Sequence, residues 1–403
     1  MKYDFESIID RQGWDAWAVE GCGQQVWGNE PHAPKEGFDF IPMWVADMNF
    51  GTAPAVTEAI AKRLHHPCFD YYMPRPEYAQ SIIHWHKTHH QVTGMKPEDI
   101  GYENGVHGCV TSCVQVLSKP GEAVFLHKPF YLGFCADVEM LGRVPVHSEL
   151  KKDENGVYRM DFEDMEAKIK ASNCHLAIMC SPHNPAGRVW ERWELEKAME
   201  IFERNEVYVI SDEIWADLTF EGHQHIPTQM VNEWAKQHTV GIYAPSKTFN
   251  LAGMFGSYHV IYNKYLRDRI GHYASSTHYN DQNVLSMHSV IGAYSDEGAE
   301  WTDELRQVLR TNCRMIANCL NSFEGVSSTD PEGTYMVFVD CSEYCKRTGT
   351  TLDELLKAGW DVGIGWQDDR RFGGECHIRM NVASPTSQIA KVCDRLRKYV
   401  FVK

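Results

Sequence analysis

The chain has 403 residues, 43% of them hydrophobic and 23% charged, a composition that excludes disorder over most of its length and exceeds what one minimal core needs. Its formal net charge of −16 repels phosphate backbones and makes nucleic acid a poor partner. No run of about 18 apolar residues is present, the early acids of MKYDFESIIDRQGWDAW do not make a signal peptide, and 13 scattered Cys without a CxxC pair read as reduced thiols, so a cytoplasmic protein is expected.

The first fifty residues are rich in Gly, Trp and Pro and read as irregular. From Thr52 to Gln91 the pattern is mainly helical, interrupted by Pro at 73–76. From Gly101 to about Tyr262, short β-rich runs alternate with amphipathic stretches. The runs are Ala123–His127, Val144–His147, Leu176–Cys180, Val207–Ser211, Val240–Ala244 and Ser257–Ile261. Between them, Arg192–Glu203 places Leu195, Ala198, Met199 and Phe202 on one helical face. This alternation predicts a mostly parallel sheet flanked by helices, with ligands beyond the carboxyl ends of its strands. The last hundred residues predict a smaller α+β domain: a helix near Glu300–Phe323, strands Tyr335–Val339 and Ile378–Val382, and a closing helix near Ser387–Tyr399. His84, His86, His89 and His90 crowd one segment. Only some of them share a helical face and no Cys or acid completes a ligand set, so they predict a solvated or partly packed helix and no metal site.

Three polar residues fall just past three predicted strands: Asn184 after Leu176–Cys180, Asp212 after Val207–Ser211, and Lys247 after Val240–Ala244. Asp212 lies 28 residues after Asn184 and Lys247 35 after Asp212, enough in each case for a crossover helix and a return strand. An amine to form a Schiff base, a carboxylate to keep a pyridine nitrogen protonated and a donor near a phenolic oxygen are what pyridoxal 5′-phosphate (PLP) requires.

The chain resembles the fold-type-I PLP-dependent enzymes of the aminotransferase class I/II superfamily, and within them the carbon–sulfur β-lyase branch of cystathionine β-lyase-like proteins, MalY and PatB. The stretches that carry the resemblance are Ile41-Pro42-Met43-Trp44-Val45-Ala46-Asp47-Met48, Pro182-His183-Asn184-Pro185, Ser211-Asp212-Glu213-Ile214-Trp215, the segment from Ala244 to Gly253 around Lys247, and Ile378-Arg379-Met380-Asn381. It implies an aspartate aminotransferase-like α/β fold. An N-terminal segment, 1–50, packs with a small domain; a large domain with a mostly parallel seven-stranded sheet covers 51–288; the small α+β domain covers 289–403. It implies that the backbone of Gly105, Val106 and His107 holds the cofactor phosphate at a helix N-terminus, that Tyr131 stacks on the pyridine, that Tyr71 reaches the phosphate of the neighbouring subunit in a homodimer, and that Trp215 and Ser246 belong to the cofactor site. It implies further that Arg379 pairs with the substrate α-carboxylate, with Ala46 and Asp47 also at the substrate.

The departures from the wider superfamily are Phe255, eight residues after Lys247 where aminotransferases carry a phosphate-binding Arg, and Ala244, where they often carry Ser or Thr. Both resemble the lyase branch and leave Ser246 and backbone amides for the phosphate. The segment Gly365-Trp366-Gln367-Asp368-Asp369-Arg370-Arg371-Phe372 is more charged than the branch leads one to expect. The resemblance implies α,β-elimination from cystathionine, cysteine or S-substituted cysteines to a thiol, pyruvate and ammonia, with Lys247, Asp212 and Tyr71 in catalytic roles. An aminotransferase, an amino-acid racemase or a regulatory binding protein on the same scaffold are its rivals.

Overall fold

The computed structural model describes residues 1–25 and 30–402. The chain divides into two compact units, one of Thr52–His183 with Arg188–Asp303, the other of Met1–Gly51, Asn184–Gly187 and Glu304–Lys403.

The first unit is built on a seven-stranded sheet in the order Ile100–Tyr102, Tyr258–Val260, Thr239–Tyr243, Tyr208–Asp212, Leu176–Cys180, Ala123–Lys128, Val144–Glu149. Tyr258–Val260 runs antiparallel to both its neighbours and every other pairing is parallel. Leu176–Cys180 and Thr239–Tyr243 are buried at every position, as continuous apolar runs must be when helices cover both faces. The helix Arg192–Arg204 buries Leu195, Ala198, Met199 and Phe202, the face that the sequence singles out. Helices Pro54–Leu64 and Pro76–His89 each begin on a Pro, whose fixed φ suits a first helical turn, and the Pro-rich stretch separates them.

Register levels the strand ends that matter. Cys180 pairs with Asp212, and Asp212 with Ile242. Asp212 is the last residue of its strand rather than the first beyond it, one position later than the sequence predicts, because the ladder to Ile242 extends through it.

The second unit holds a four-stranded antiparallel sheet, ordered Ser327–Ser328, Met336–Asp340, His377–Asn381, Gln367–Asp368. Leu352–Asp361 starts with a reciprocal cap between Thr351 and Glu354. The closing helix Thr386–Arg395 passes into a wider turn at Leu396–Val400. The N-terminal segment is less irregular than expected. It carries the helix Trp17–Glu20, and Ile41–Pro42 pairs in parallel with Ile364–Gly365.

Candidate active site

In the first unit, Asp212 is 4% exposed and accepts from the Ile214 amide at 3.2 Å. Burial pushes its carboxyl up to about 7, against the pull of that amide and of the nearby His107 and Lys247 charges. At neutral pH such a group is only about half ionised unless a further positive charge is set against it. Lys247 follows the neighbouring strand and is partly buried, its Nζ 5.9 Å from the centre of the fully buried Trp215 ring. Ser246, beside it, is also partly buried.

Gly105 opens the 13-residue helix Gly105–Leu117, and the side chain of Asn104 does not cap it. The first-turn amides of Val106 and His107 therefore face the helix end without that acceptor. Gly105 has φ +79°, and a Cβ there would meet Phe255 Cδ1 at 3.3 Å. Phe255, itself at φ 51° and half exposed, thus packs on the start of this helix.

The His107 side chain is engaged as well. Nδ1 lies 2.6 Å from Asp137 Oδ2, and Nε2 lies 3.3 Å from the Tyr131 hydroxyl. Burial lowers the His107 pKa, but the Asp137 contact outweighs it and the net shift is upward. Gly133 lies beneath both rings: a Cβ there would stand 2.1 Å from His107 Cε1 and 2.7 Å from Tyr131 Cε1.

Behind these residues, buried networks fix the strand ends. Asp217 accepts from Trp85 Nε1 at 2.8 Å and from Thr248, next to Lys247, at 2.9 Å, and pairs with His90 at 2.9 Å. Glu213, next to Asp212, accepts from Tyr243 at 2.7 Å and from the Thr228 amide at 2.9 Å, and pairs with His225 at 2.8 Å. Two members of the His-rich segment are absorbed in this core, His90 on Asp217 and His86 beside the Tyr258 hydroxyl at 3.0 Å.

In the second unit, Arg379 is 3% exposed and donates to Asn184 Oδ1 at 3.3 Å, to the Trp44 carbonyl at 3.1 Å and to Gln367 Oε1, with the Phe372 ring 4.3 Å from its guanidinium carbon. Gln367 stands directly across the ladder from Arg379. Asn381 donates to the carbonyls of Val45 and Asp47, and Tyr335 donates to the carbonyl of Ala46 at 3.1 Å, so the Ala46–Asp47 segment is clamped. The Asp47 carboxylate is paired with Arg11 at 2.6 Å.

The fold thus gathers Lys247, Asp212, Trp215, His107 and Tyr131 in one unit, and Arg379, Asn184, Ala46 and Asp47 in the other. Tyr71 stands apart, fully exposed on the rim of a cleft of about 1050 Å³ lined also by Tyr72, Tyr102, Asn280 and Gln282. Sequence reasoning misses Asp137, Gln367, Asn381 and Tyr335. Gln367 and Asn381 have local signals, the first in the unusually polar segment before Arg379 and the second closing the stretch Ile378-Arg379-Met380-Asn381.

Residues 39–396 match the family of aminotransferase class I and II. The chain is 32% identical over 365 residues to cystathionine β-lyase PatB of Bacillus subtilis, covering 89% of this chain and 92% of that one. It is 32% identical over 400 residues to protein MalY of Escherichia coli, covering 96% of each. Among solved structures it is similar to cystalysin of Treponema denticola, which contains a pyridoxal 5′-phosphate cofactor, with a TM-score of 0.90 and 28% identity over 99% of this chain and 98% of that one.

Proposed function

Because the chain belongs to the aminotransferase class I and II family, we propose that it is a PLP-dependent carbon–sulfur β-lyase, cleaving cystathionine, cysteine or S-substituted cysteines to a thiol, pyruvate and ammonia. The observation that carries PLP is the buried Asp212 carboxyl, raised to about 7 at the end of the strand next to the one that Lys247 follows. A carboxyl so placed is matched by a protonated pyridine nitrogen. Lyase is favoured over transamination by the named activity of the relative PatB and by Phe255, which stands where the aminotransferases have a phosphate-binding Arg.

The residues present fit the cofactor. Lys247 would hold its aldehyde, Asp212 its ring nitrogen and Tyr131 one ring face, with Asn184 as donor to the phenolic oxygen. The uncapped amides of Val106 and His107, with Ser246, would take the phosphate, where free N–H groups and the helix dipole favour an anion; the Gly105 amide is instead spent on the Glu103 carbonyl at 2.9 Å. Bound there, PLP supplies an electron-poor ring that accepts the electron pair freed at the substrate α-carbon and so allows a β-thiolate to leave.

The protein's own part is positional and acid–base. Asp212 would keep a proton on the pyridine nitrogen of the bound cofactor. Arg379, aligned by Gln367, Trp44 and Asn184, binds the substrate carboxylate and orients the α-hydrogen. Lys247 Nζ, as the free amine beside the substrate, would accept that hydrogen as a proton. His107 is held by Asp137 with its other ring nitrogen on the Tyr131 hydroxyl, which steadies the Tyr131 ring.

The same reading makes the enzyme a homodimer with Tyr71 serving the neighbouring site, supported by its full exposure. A cytoplasmic location is supported by the 13 Cys, all of them free thiols. No helix among the described residues is long and apolar enough to cross a membrane. The deciding experiment supplies purified protein and PLP with cystathionine and no keto acid, following pyruvate and free thiol together. Both should appear, and Lys247→Ala should abolish them. Turnover that requires a keto-acid acceptor and releases no thiol would replace this reading with transamination.

A further inference from the structure

Three side chains from separate elements meet behind the helix start described above. Glu103 lies just past strand Ile100–Tyr102, Cys109 lies in the helix Gly105–Leu117, and His259 is the middle residue of strand Tyr258–Val260. Their ligand atoms all fall within 4.8 Å of one another, a convergence that no other three His, Cys, Asp or Glu residues make among the described residues. His259 Nδ1 stands 3.7 Å from Glu103 Oε1 and 4.0 Å from Cys109 Sγ. Glu103 and Cys109 are 0% exposed and His259 is 4% exposed.

Hydrogen bonding leaves this cluster incomplete. Ser112 donates to Glu103 Oε2 at 3.3 Å, which orients the carboxylate, and Ser257 donates to the Glu103 main-chain carbonyl at 2.6 Å, which holds the backbone there. The other oxygen, Oε1, is buried without a hydrogen-bond partner and faces the imidazole nitrogen and the thiol. An unpaired buried carboxylate oxygen is costly, and native folds seldom leave one so. The imidazole is seated by the strand opposite. His259 pairs with Gly101, and a Cβ at 101 would lie 2.2 Å from His259 Nε2, so the ring occupies space that only glycine leaves open.

We propose that Glu103, Cys109 and His259 bind a divalent transition-metal ion of the zinc class, with water as fourth ligand. Ligands around a tetrahedral zinc ion stand about 3.4–3.8 Å apart, given its bond lengths of roughly 2.0–2.3 Å, so the cluster needs only a small contraction. Thiolate, imidazole and carboxylate are the mixed donors that this ion accepts. One thiolate and one carboxylate together cancel its two positive charges, as a buried site requires. Ser112 then has the role of an outer hydrogen bond that orients a ligand. Gly101, Glu103 and His259 also line the 1050 Å³ cleft, which gives the ion a route in and supplies the water. Glu103 and Cys109 bracket residues 104–108, so the ion would fasten both ends of the segment that presents its amides to the phosphate.

The test uses the holoenzyme, stripped with a chelator, dialysed against Zn²⁺ and analysed by mass spectrometry of its metal content. It should retain about one ion per chain, the fourth position being open. Co²⁺ in its place should give the intense visible bands of a tetrahedral ion and a thiolate charge-transfer band, read as a difference against the stripped holoenzyme. Cys109→Ser should lose the zinc and the charge-transfer band, with circular dichroism and cofactor absorbance checking the fold. Ser112→Ala should keep the site but bind zinc about ten- to a hundredfold more weakly. The proposal is overturned if the wild-type protein retains no zinc, if its cobalt spectrum is octahedral and lacks the thiolate band, or if Cys109→Ser takes up as much zinc as the wild type. Should Cys109→Ser fail to fold, the first two outcomes decide.

Discussion

Asp212 is held in a state that a bound cation would complete. Its carboxyl rises from 3.8 to about 7 in the folded chain through burial, so the folded form keeps its proton where the unfolded form has lost it. Below about pH 4 this costs the fold nothing, and between about pH 4 and 7 the cost grows to a few kcal/mol and then levels off. A pyridinium partner removes that cost. The gap in Tm between protein with and without PLP should therefore widen from pH 5 to pH 7 and flatten above it, and in Asp212→Asn the gap should lose this pH dependence. A gap that narrows as pH rises would contradict the assignment. Arg379 allows a second test. Its guanidinium meets three separate acceptors, and a lysine cannot reproduce that fork. Arg379→Lys should lower kcat/KM by about thirtyfold, the equivalent of roughly 2 kcal/mol for hydrogen bonds to a buried charge, with the loss mostly in KM and the cofactor spectrum unchanged. Lys247, Asp212 and Asn184 are legible in the sequence because each sits at the end of a periodic run. Asp137 and Gln367 are not, because they reach their partners through space and across a ladder, and spacing along the chain carries no record of either.

At the scale of elements, the large parallel strands are read to within one or two residues, since their burial on both faces leaves continuous apolar runs. The three-residue edge strand Ile100–Tyr102 is not read as a strand at all, being half-buried at every position and dependent on Tyr258–Val260 for its pairing. The His-rich helix is read as solvated or partly packed, and its deepest residues turn out to be partners of Asp217 and Tyr258 on distant strands and loops. The helix Gly105–Leu117 gives the element-scale prediction. Its first residue combines φ +79° with close contact to Phe255. Gly105→Ala should cost about 1–2 kcal/mol for the left-handed backbone alone. Because the strain falls beside the amides proposed to hold the phosphate, PLP affinity measured by titration of the cofactor-free protein should fall more than the thermal stability of that protein does. Equal loss in both would make Gly105 a matter of folding only.

At the scale of the whole molecule, the proposed role of Tyr71 bears on how many chains make a working site. A tyrosine with a relative exposure of 109% contributes nothing to the core of its own chain, and its neighbour Tyr72 differs, donating to the Gln282 carbonyl at 2.6 Å. If Tyr71 completes the site of a second copy, an inactive and an impaired variant should restore each other. In a mixed dimer of Lys247→Ala with Tyr71→Phe, one site carries both defects and the other carries neither. Random reassortment of equal amounts makes half the dimers mixed, so activity should return to about a quarter of the wild-type level from two isologous chains. Measured after co-refolding or co-expression, recovery of that size places Tyr71 and Lys247 of one site on different chains. No recovery beyond the residual activity of Tyr71→Phe places them on the same chain, and the exposed position of Tyr71 would then need a segment of its own chain to move over the cofactor.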